Sequence, residues 1–210
     1  MTTAGQERRR YNAESRQTQA RQTRDRVLTV AGRLFVTEGY AGTSIARIAR
    51  EAGVSAPTVF AGFKSKVNLL KEVVDTAIAG DSDERPLRER PVLRRIHAAP
   101  TFDEVVDRMA DGFAEVSERA YPIYAVLYRA ADGDPQIAAL LAELDRQRLV
   151  GSRLLARTVA DRLDSHDVDD IADAIWVLQS PLQYGLIVHD RGRPVSWYRD
   201  WVAKTLRTLG

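Results

Sequence analysis

The chain has 210 residues, of which 44% are hydrophobic and 29% charged, and it contains no cysteine. That suits one large or two small globular domains and excludes disulfides, thiolate catalysis and cysteine metal sites. No apolar run is long enough to span a bilayer and the amino terminus is polar, so neither a membrane partner nor a secretory signal is expected, and a cytoplasmic location is. The net charge of +2 hides an asymmetry: residues 1–66 hold 12 Lys/Arg against 5 Asp/Glu, and the rest of the chain 19 against 24. A basic front on an acidic body suits a protein that presents one end to a polyanion.

Residues 1–20 contain Arg8, Arg9, Arg10 and Arg16 among many polar and few apolar residues. Such a stretch buries too little surface to order itself, and reads either as a flexible basic arm along DNA or as a solvated leader. From Thr23 to Glu38, Val27, Ala31, Leu34 and Phe35 make one helical face, with Gly39 as its cap and Tyr40 packing after it. Arg21, Arg24 and Arg26 lie toward the start of this helix.

The stretch from Thr43 to Lys66 reads as two short helices joined by a tight turn. Ile45, Ile48 and Ala49 repeat at helical spacing, and Thr43 or Ser44 can cap the start. Gly53 can take the left-handed conformation that ends this helix, and Val54 returns to the core. Ser55 caps a second helix, in whose first turn Pro57 is tolerated because its missing amide would be unpaired anyway. That helix buries Val59 and Phe63 and turns Ala56, Pro57, Thr58 and Ala61 outward. Small outward side chains allow close approach to base edges and thymine methyls in a major groove, which makes this a helix-turn-helix signal.

These residues resemble the DNA-binding domain of TetR-family transcriptional regulators. The resemblance covers about residues 22–80: Phe35 and Gly39-Tyr40 close the first helix, Thr43-Ser44 and Ile48-Ala49 mark the second, Gly53-Val54-Ser55 is the turn, and Phe60, Phe63 and Lys66 complete the ending. One position departs from the family pattern, which usually has a phosphate-reaching Tyr where this chain has Phe60. The resemblance implies an all-α fold: a helix-turn-helix domain over residues 21–80 and a helical regulatory and dimerisation domain over 81–210. The expected DNA-binding set is Thr43, Ser44, Arg47, Ser55, Ala56, Pro57, Thr58, Phe60, Ala61, Lys64 and Lys66. Within it Thr43, Arg47, Lys64 and Lys66 are expected on phosphates, and Ala56, Pro57, Thr58 and Ala61 on bases.

A fourth helix from Ser65 to Ala79 carries Leu69, Leu70, Val73, Val74 and Ala77, and forms the rod between the DNA end and the rest. Residues 80–100 are rich in turns and charge and read as the domain junction, with a short amphipathic piece around Val92–Ile96. The remainder shows helical periodicity throughout. One helix starts at Thr101 and ends near Ala120, and Pro122 opens a shorter one that Asp132-Gly133 stops. Pro135 starts a long helix to Leu163, broken by 164–167. Two more run from Val168 to Asp190 and from Val195 to Leu209.

In the first of these last two, Ile171, Ile175, Leu178 and Leu182 form one apolar face, and Pro181 is expected to kink it and free a carbonyl near Val177. Trp197 and Trp201 lead the broad face of the second. Helices apolar around much of their circumference need cover on more than one side, and a second copy of the chain packing on Ile171, Ile175, Leu178, Leu182, Trp197 and Trp201 is the expected cover, with burial within the protomer as the alternative. A small-molecule effector of unknown identity would be lined by Phe113, Tyr124, Tyr128, Trp176, Gln179, Gln183 and Tyr184, residues that serve equally well as core.

His97, His166 and His189 share no metal-ligand spacing, and the Asp167, Asp169, Asp170 and Asp173 run suits a helix start. No catalytic residue, metal or cofactor is expected. The expected function is that of a homodimeric repressor released from a palindromic double-stranded DNA operator by a small molecule. The alternatives are a DNA-binding dimer without ligand response and an all-helical enzyme.

Overall fold

The structure, a computed structural model, describes residues 3–82, 90–163 and 167–210, with side chains from residue 17 onward. All regular elements among the described residues are helical. They fall into two compact units, Met1–Val73 and Val74–Gly210.

The first unit is built from α1 (Thr3–Gly42), α2 (Ile45–Ala52), α3 (Ala56–Phe63) and the first half of α4 (Lys66–Ala79). Helix α1 breaks at Gly39, whose φ of 75° and ψ of 169° redirect the chain, and Tyr40 then stacks on Phe35 with ring centres 5.9 Å apart. Only glycine adopts that backbone cheaply. The helical backbone reaches back to Thr3, twenty residues before the expected start. The added stretch lacks proline and is rich in Arg, Gln, Glu and Ala, whose helix propensity outweighs their failure to form an apolar face. The side chains of Arg8, Arg9, Arg10 and Arg16 lie outside the described residues. Val27, Ala31, Leu34 and Phe35 of α1 pack with Ile48, Val59, Phe63, Leu69 and Leu70 as the domain core.

The second unit comprises the rest of α4 with α5 (Pro91–His97), α6 (Phe102–Ala131), α7 (Pro135–Leu163), α8 (Val168–Leu178), α9 (Pro181–Tyr184) and α10 (Val195–Arg207). Thr101 caps α6 by accepting the Glu104 amide. The helix then runs straight through Pro122, where a boundary was expected. Pro122 and Glu118 are both exposed, so the carbonyl that loses its amide faces solvent, while Ala120, Ile123 and Tyr124 stay buried and hold both halves in line. Helix α6 packs between α7 and α10. Arg199 and Arg207 of α10 lock onto Asp103, Asp107 and Asp111 of α6 across the outer surface.

The segment expected as one kinked helix from Val168 to Asp190 is in fact three pieces. Helix α8 stops at Leu178, α9 restarts at Pro181, and a π-helical turn follows over Gly185–Asp190. Proline withdraws the amide that Val177 would have received, and the Ser180 amide bonds that carbonyl instead at 3.1 Å. The next carbonyl, Leu178, accepts the fully buried Tyr198 hydroxyl at 2.8 Å. Gln179 in the break donates to Ser152 Oγ at 2.5 Å. At Gly185 a Cβ would lie 2.2 Å from the Tyr121 ring, so only glycine lets that ring close on the π-turn, where it stacks on His189 at 4.3 Å. His97 lies elsewhere, with Nδ1 2.7 Å from the Thr158 hydroxyl, and His166 falls outside the described residues.

Three residues expected at a subunit interface are interior instead. Ile171, Ile175 and Leu178 are at most 4% exposed and belong to the core with Met109, Val159 and Val202. Leu182 is 50% exposed, alongside Val177 and Leu186 in the same segment. Trp197 and Trp201 stack on each other and are partly buried. The 3.6-residue period reports that a face is covered, not whose side chains cover it.

Candidate nucleic-acid interface

Helices α2 and α3 are set by paired local signals. Ser44 caps α2 by accepting the Arg47 amide, and Ser55 caps α3 by accepting the Thr58 amide. Gly53, at φ 69° and ψ 35°, turns the chain between them, and its amide and that of Val54 take up the last carbonyls of α2. Val59 and Phe63 anchor α3 in the core at 1% and 4% exposure. Pro57, Thr58, Phe60, Ala61 and Gly62 are thereby left exposed, and Ala56 half so. The outward face of α3 is therefore small or apolar, with Thr58 its one hydroxyl, and Phe60 is 51% exposed.

The basic residues divide into two kinds. Lys64 is exposed and its ammonium touches only the Ala61 carbonyl, at 3.0 Å. The other three cations or polar groups expected on phosphates are turned to internal use. Thr43 is 1% exposed and its hydroxyl donates to the Gly39 carbonyl at 2.8 Å, so it buttresses the end of α1. Arg47 donates to Glu38 at 2.5 Å and to Glu51 at 3.0 Å, and Glu51 also pairs with Arg33. These hydrogen bonds, that to Glu51 foremost, raise the Arg47 pKa, and the two guanidinium groups lower that of Glu51. Lys66 donates to the Tyr40 and Thr43 carbonyls at 2.7 and 2.8 Å and lies 4.0 Å from the centre of the Tyr40 ring. It ties the start of α4 to the end of α1.

Arg24 pairs with Glu72 of α4 and lies 4.9 Å over the Phe63 ring. It thus joins α1, α3 and α4 at one point. A cleft of about 410 Å³ opens beside it, lined by Gln19, Thr23 and Val27 of α1 and by Thr58, Gly62 and Phe63 of α3. No sequence spacing announces this contact, because Arg24 stands 48 residues before Glu72 and nearly as far before Phe63.

The α3–α4 connection is strained. Lys64 has φ 66° and ψ −41°, and the Ser65 amide bonds the Phe63 carbonyl at 2.7 Å, which together make a γ-turn of the rare positive-φ form. Among the described residues it alone, apart from glycines, has positive φ. Strain of this sort persists where the side chain is needed. Lys64→Gly is expected to raise the unfolding midpoint of the domain, the relief of about 1–2 kcal/mol exceeding the added chain entropy, while weakening DNA binding. Thermal unfolding and fluorescence anisotropy on one duplex read the two effects separately.

The model for bacterial regulatory proteins of the tetR family matches residues 27–73, which span the end of α1 through the first half of α4. TcmR of Streptomyces glaucescens, described as an HTH-type transcriptional regulator, is 32% identical over 158 residues. This chain belongs to the TetR family. The match to TcmR covers 74% of this chain and 66% of that protein's length. Likeness of fold extends over 89% of the chain. NalD, the secondary repressor of the MexAB-OprM multidrug efflux pump in Pseudomonas aeruginosa, superposes with a TM-score of 0.67 at 18% identity, covering 89% of this chain and 94% of NalD. A regulator from Saccharomonospora viridis in complex with choline gives 0.63 at 20% identity, covering 89% and 96%. Among the described residues no helix is long and apolar enough to cross a membrane.

Proposed function

We propose that this TetR-family protein is a sequence-specific DNA-binding repressor, acting as a homodimer and released from its operator by a small molecule bound in the carboxy-terminal unit. The observation that carries the reading is α3: a helix anchored by Val59 and Phe63, capped by Ser55, presenting Pro57, Thr58, Phe60 and Ala61 from the basic end of the chain. A short face without long polar side chains reads bases through methyl contact, water and groove shape more than through paired hydrogen bonds. Phosphate positioning falls to Lys64, not to the internally engaged Thr43, Arg47 and Lys66.

A second copy covers Leu182, Val177 and Leu186, each about half exposed in the single chain, and Trp197 and Trp201 lie on the next helix. Two-fold symmetry then sets the half-sites about one DNA turn apart, roughly 34–36 Å, or a multiple. The repressor named NalD and the choline-bound regulator, both of this fold, support the sign of regulation and the response to a small molecule.

Thr58→Val tests the reading. It is expected to change the preference among duplexes by about 1–3 kcal/mol at one base position while leaving binding to unrelated DNA unchanged. Selection from a randomised duplex pool reads this directly, and an unchanged preference removes α3 from the interface.

A further inference from the structure

The carboxy-terminal unit holds a largely buried cation that its neighbours only partly satisfy. Arg148 of α7 is 12% exposed, lies 4.4 Å from the centre of the Trp176 ring, and donates through Nη1 to the Trp176 carbonyl near the end of α8. Its Nη2 donates to Asp145 at 3.1 Å, while its Nε is buried and has no partner. A guanidinium accepts a carboxylate side-on through Nε and Nη2 together, with two parallel hydrogen bonds. Here Asp145 occupies only half of that edge, and a buried N–H without an acceptor is costly enough to call for one.

The surroundings are aromatic and adjoin the α8–α9 break. Trp176 donates its indole N–H to the Asp145 carbonyl, and Gln179 reaches the Arg148 carbonyl and Ser152. Tyr124 and Tyr128 stand with ring centres 6.0 Å apart. Burial, chiefly, raises the pKa of both phenols, and the Tyr128 hydroxyl is hydrogen-bonded with Ser180 and the Leu182 backbone at the α8–α9 break.

We infer that Arg148 is the anchor for the effector, and that the effector is an aromatic carboxylate whose acid group takes the Nε–Nη2 edge from Asp145. The inference rests on the reading that this unit receives a small molecule. Asp145, whose side chain is 36% exposed, is free to swing into solvent when displaced. The aromatic body then lies against Trp176 and Tyr128, both partly exposed, and the acid group bridges α7 to the last turn of α8.

Benzoate, benzamide and benzyltrimethylammonium serve as probes, each at millimolar concentration with the full-length protein, read by thermal unfolding and by calorimetric titration. Benzoate alone is expected to bind saturably and raise the midpoint. Arg148→Gln abolishes this. Asp145→Asn, which removes the competing carboxylate, tightens benzoate roughly tenfold, an outcome that a purely structural ion pair does not produce. The inference is overturned if benzamide or the quaternary ammonium binds as well as benzoate, if benzoate fails to bind, or if Asp145→Asn weakens it. Circular dichroism confirms that each variant is folded. Binding of operator DNA is measured apart from these titrations, so a protein that binds benzoate but no DNA refutes the proposed function and leaves the anchor standing.

Discussion

Replacing Lys66 with Ala is expected to cost the amino-terminal domain roughly 2–3 kcal/mol and to abolish specific DNA binding as a consequence. The ammonium closes the corner where α1 ends and α4 begins, holding the Tyr40 and Thr43 carbonyls and lying over the Tyr40 ring. Hydrogen bonds from a charged donor are about twice as strong as neutral ones, and the cation–ring contact adds to them. Removing them leaves the Thr43 carbonyl without this donor and the Tyr40 carbonyl with the Thr43 amide at 3.3 Å, and frees the start of α4 from the end of α1. Lys66→Met, which keeps the aliphatic stem, is expected to lose nearly as much. Urea unfolding of each variant is the measurement. A residue that merely touched phosphate would leave stability unchanged while weakening binding to all sequences alike.

The second large effect concerns Tyr198, whose side chain is fully buried in the carboxy-terminal core. Tyr198→Ala is expected to cost about 3–5 kcal/mol, enough to unfold much of that unit. Tyr198→Phe keeps the packing and costs about 1–3 kcal/mol, because the Leu178 carbonyl at the α8–α9 break loses its hydroxyl donor in a dry site. The same burial pushes the Tyr198 phenol up to about 12. In the unfolded chain it ionises near its ordinary value of about 10. A raised native pKa means that its contribution is fully present below about pH 10 and is lost as pH climbs toward 12, because the unfolded chain gives up the proton first. That loss amounts to roughly 3 kcal/mol. The phenylalanine variant lacks this group, so its stability is expected to fall less steeply over that interval, despite being lower at neutral pH. Equal slopes for parent and variant would contradict the account.

The parts of the molecule that are legible in its sequence are those fixed by neighbours in the chain. Ser44, Ser55 and Thr101 cap the helices they precede, Gly39 and Gly53 turn the backbone as glycine alone does cheaply, and Val59 and Phe63 bury the face that their spacing announces. What escaped is fixed by partners far along the chain. Lys66 at the head of a helix has the local signature of a phosphate contact, yet its acceptors lie 23 and 26 residues earlier. Arg24 over Phe63 is a contact of the same kind, whereas Arg47 is held by nearer partners, Glu51 one helical turn on and Glu38 in the preceding helix. Pro122 marks a helix boundary by local rules, but packing on both sides of it overrides one missing hydrogen bond. Ile171, Ile175 and Leu178 show that an apolar stripe looks the same whether its own chain or a twin covers it.

The central claim is that the basic end of this chain grips duplex DNA through α3. Its most direct test is the affinity of the purified protein for a duplex spanning the DNA beside its own coding region, titrated across monovalent salt. The account predicts tight binding of two chains per site at low salt, with the logarithm of affinity falling linearly against the logarithm of salt, by about 0.9 for each phosphate neutralised. Failure to bind even in dilute buffer, or an affinity that salt does not change, would contradict it.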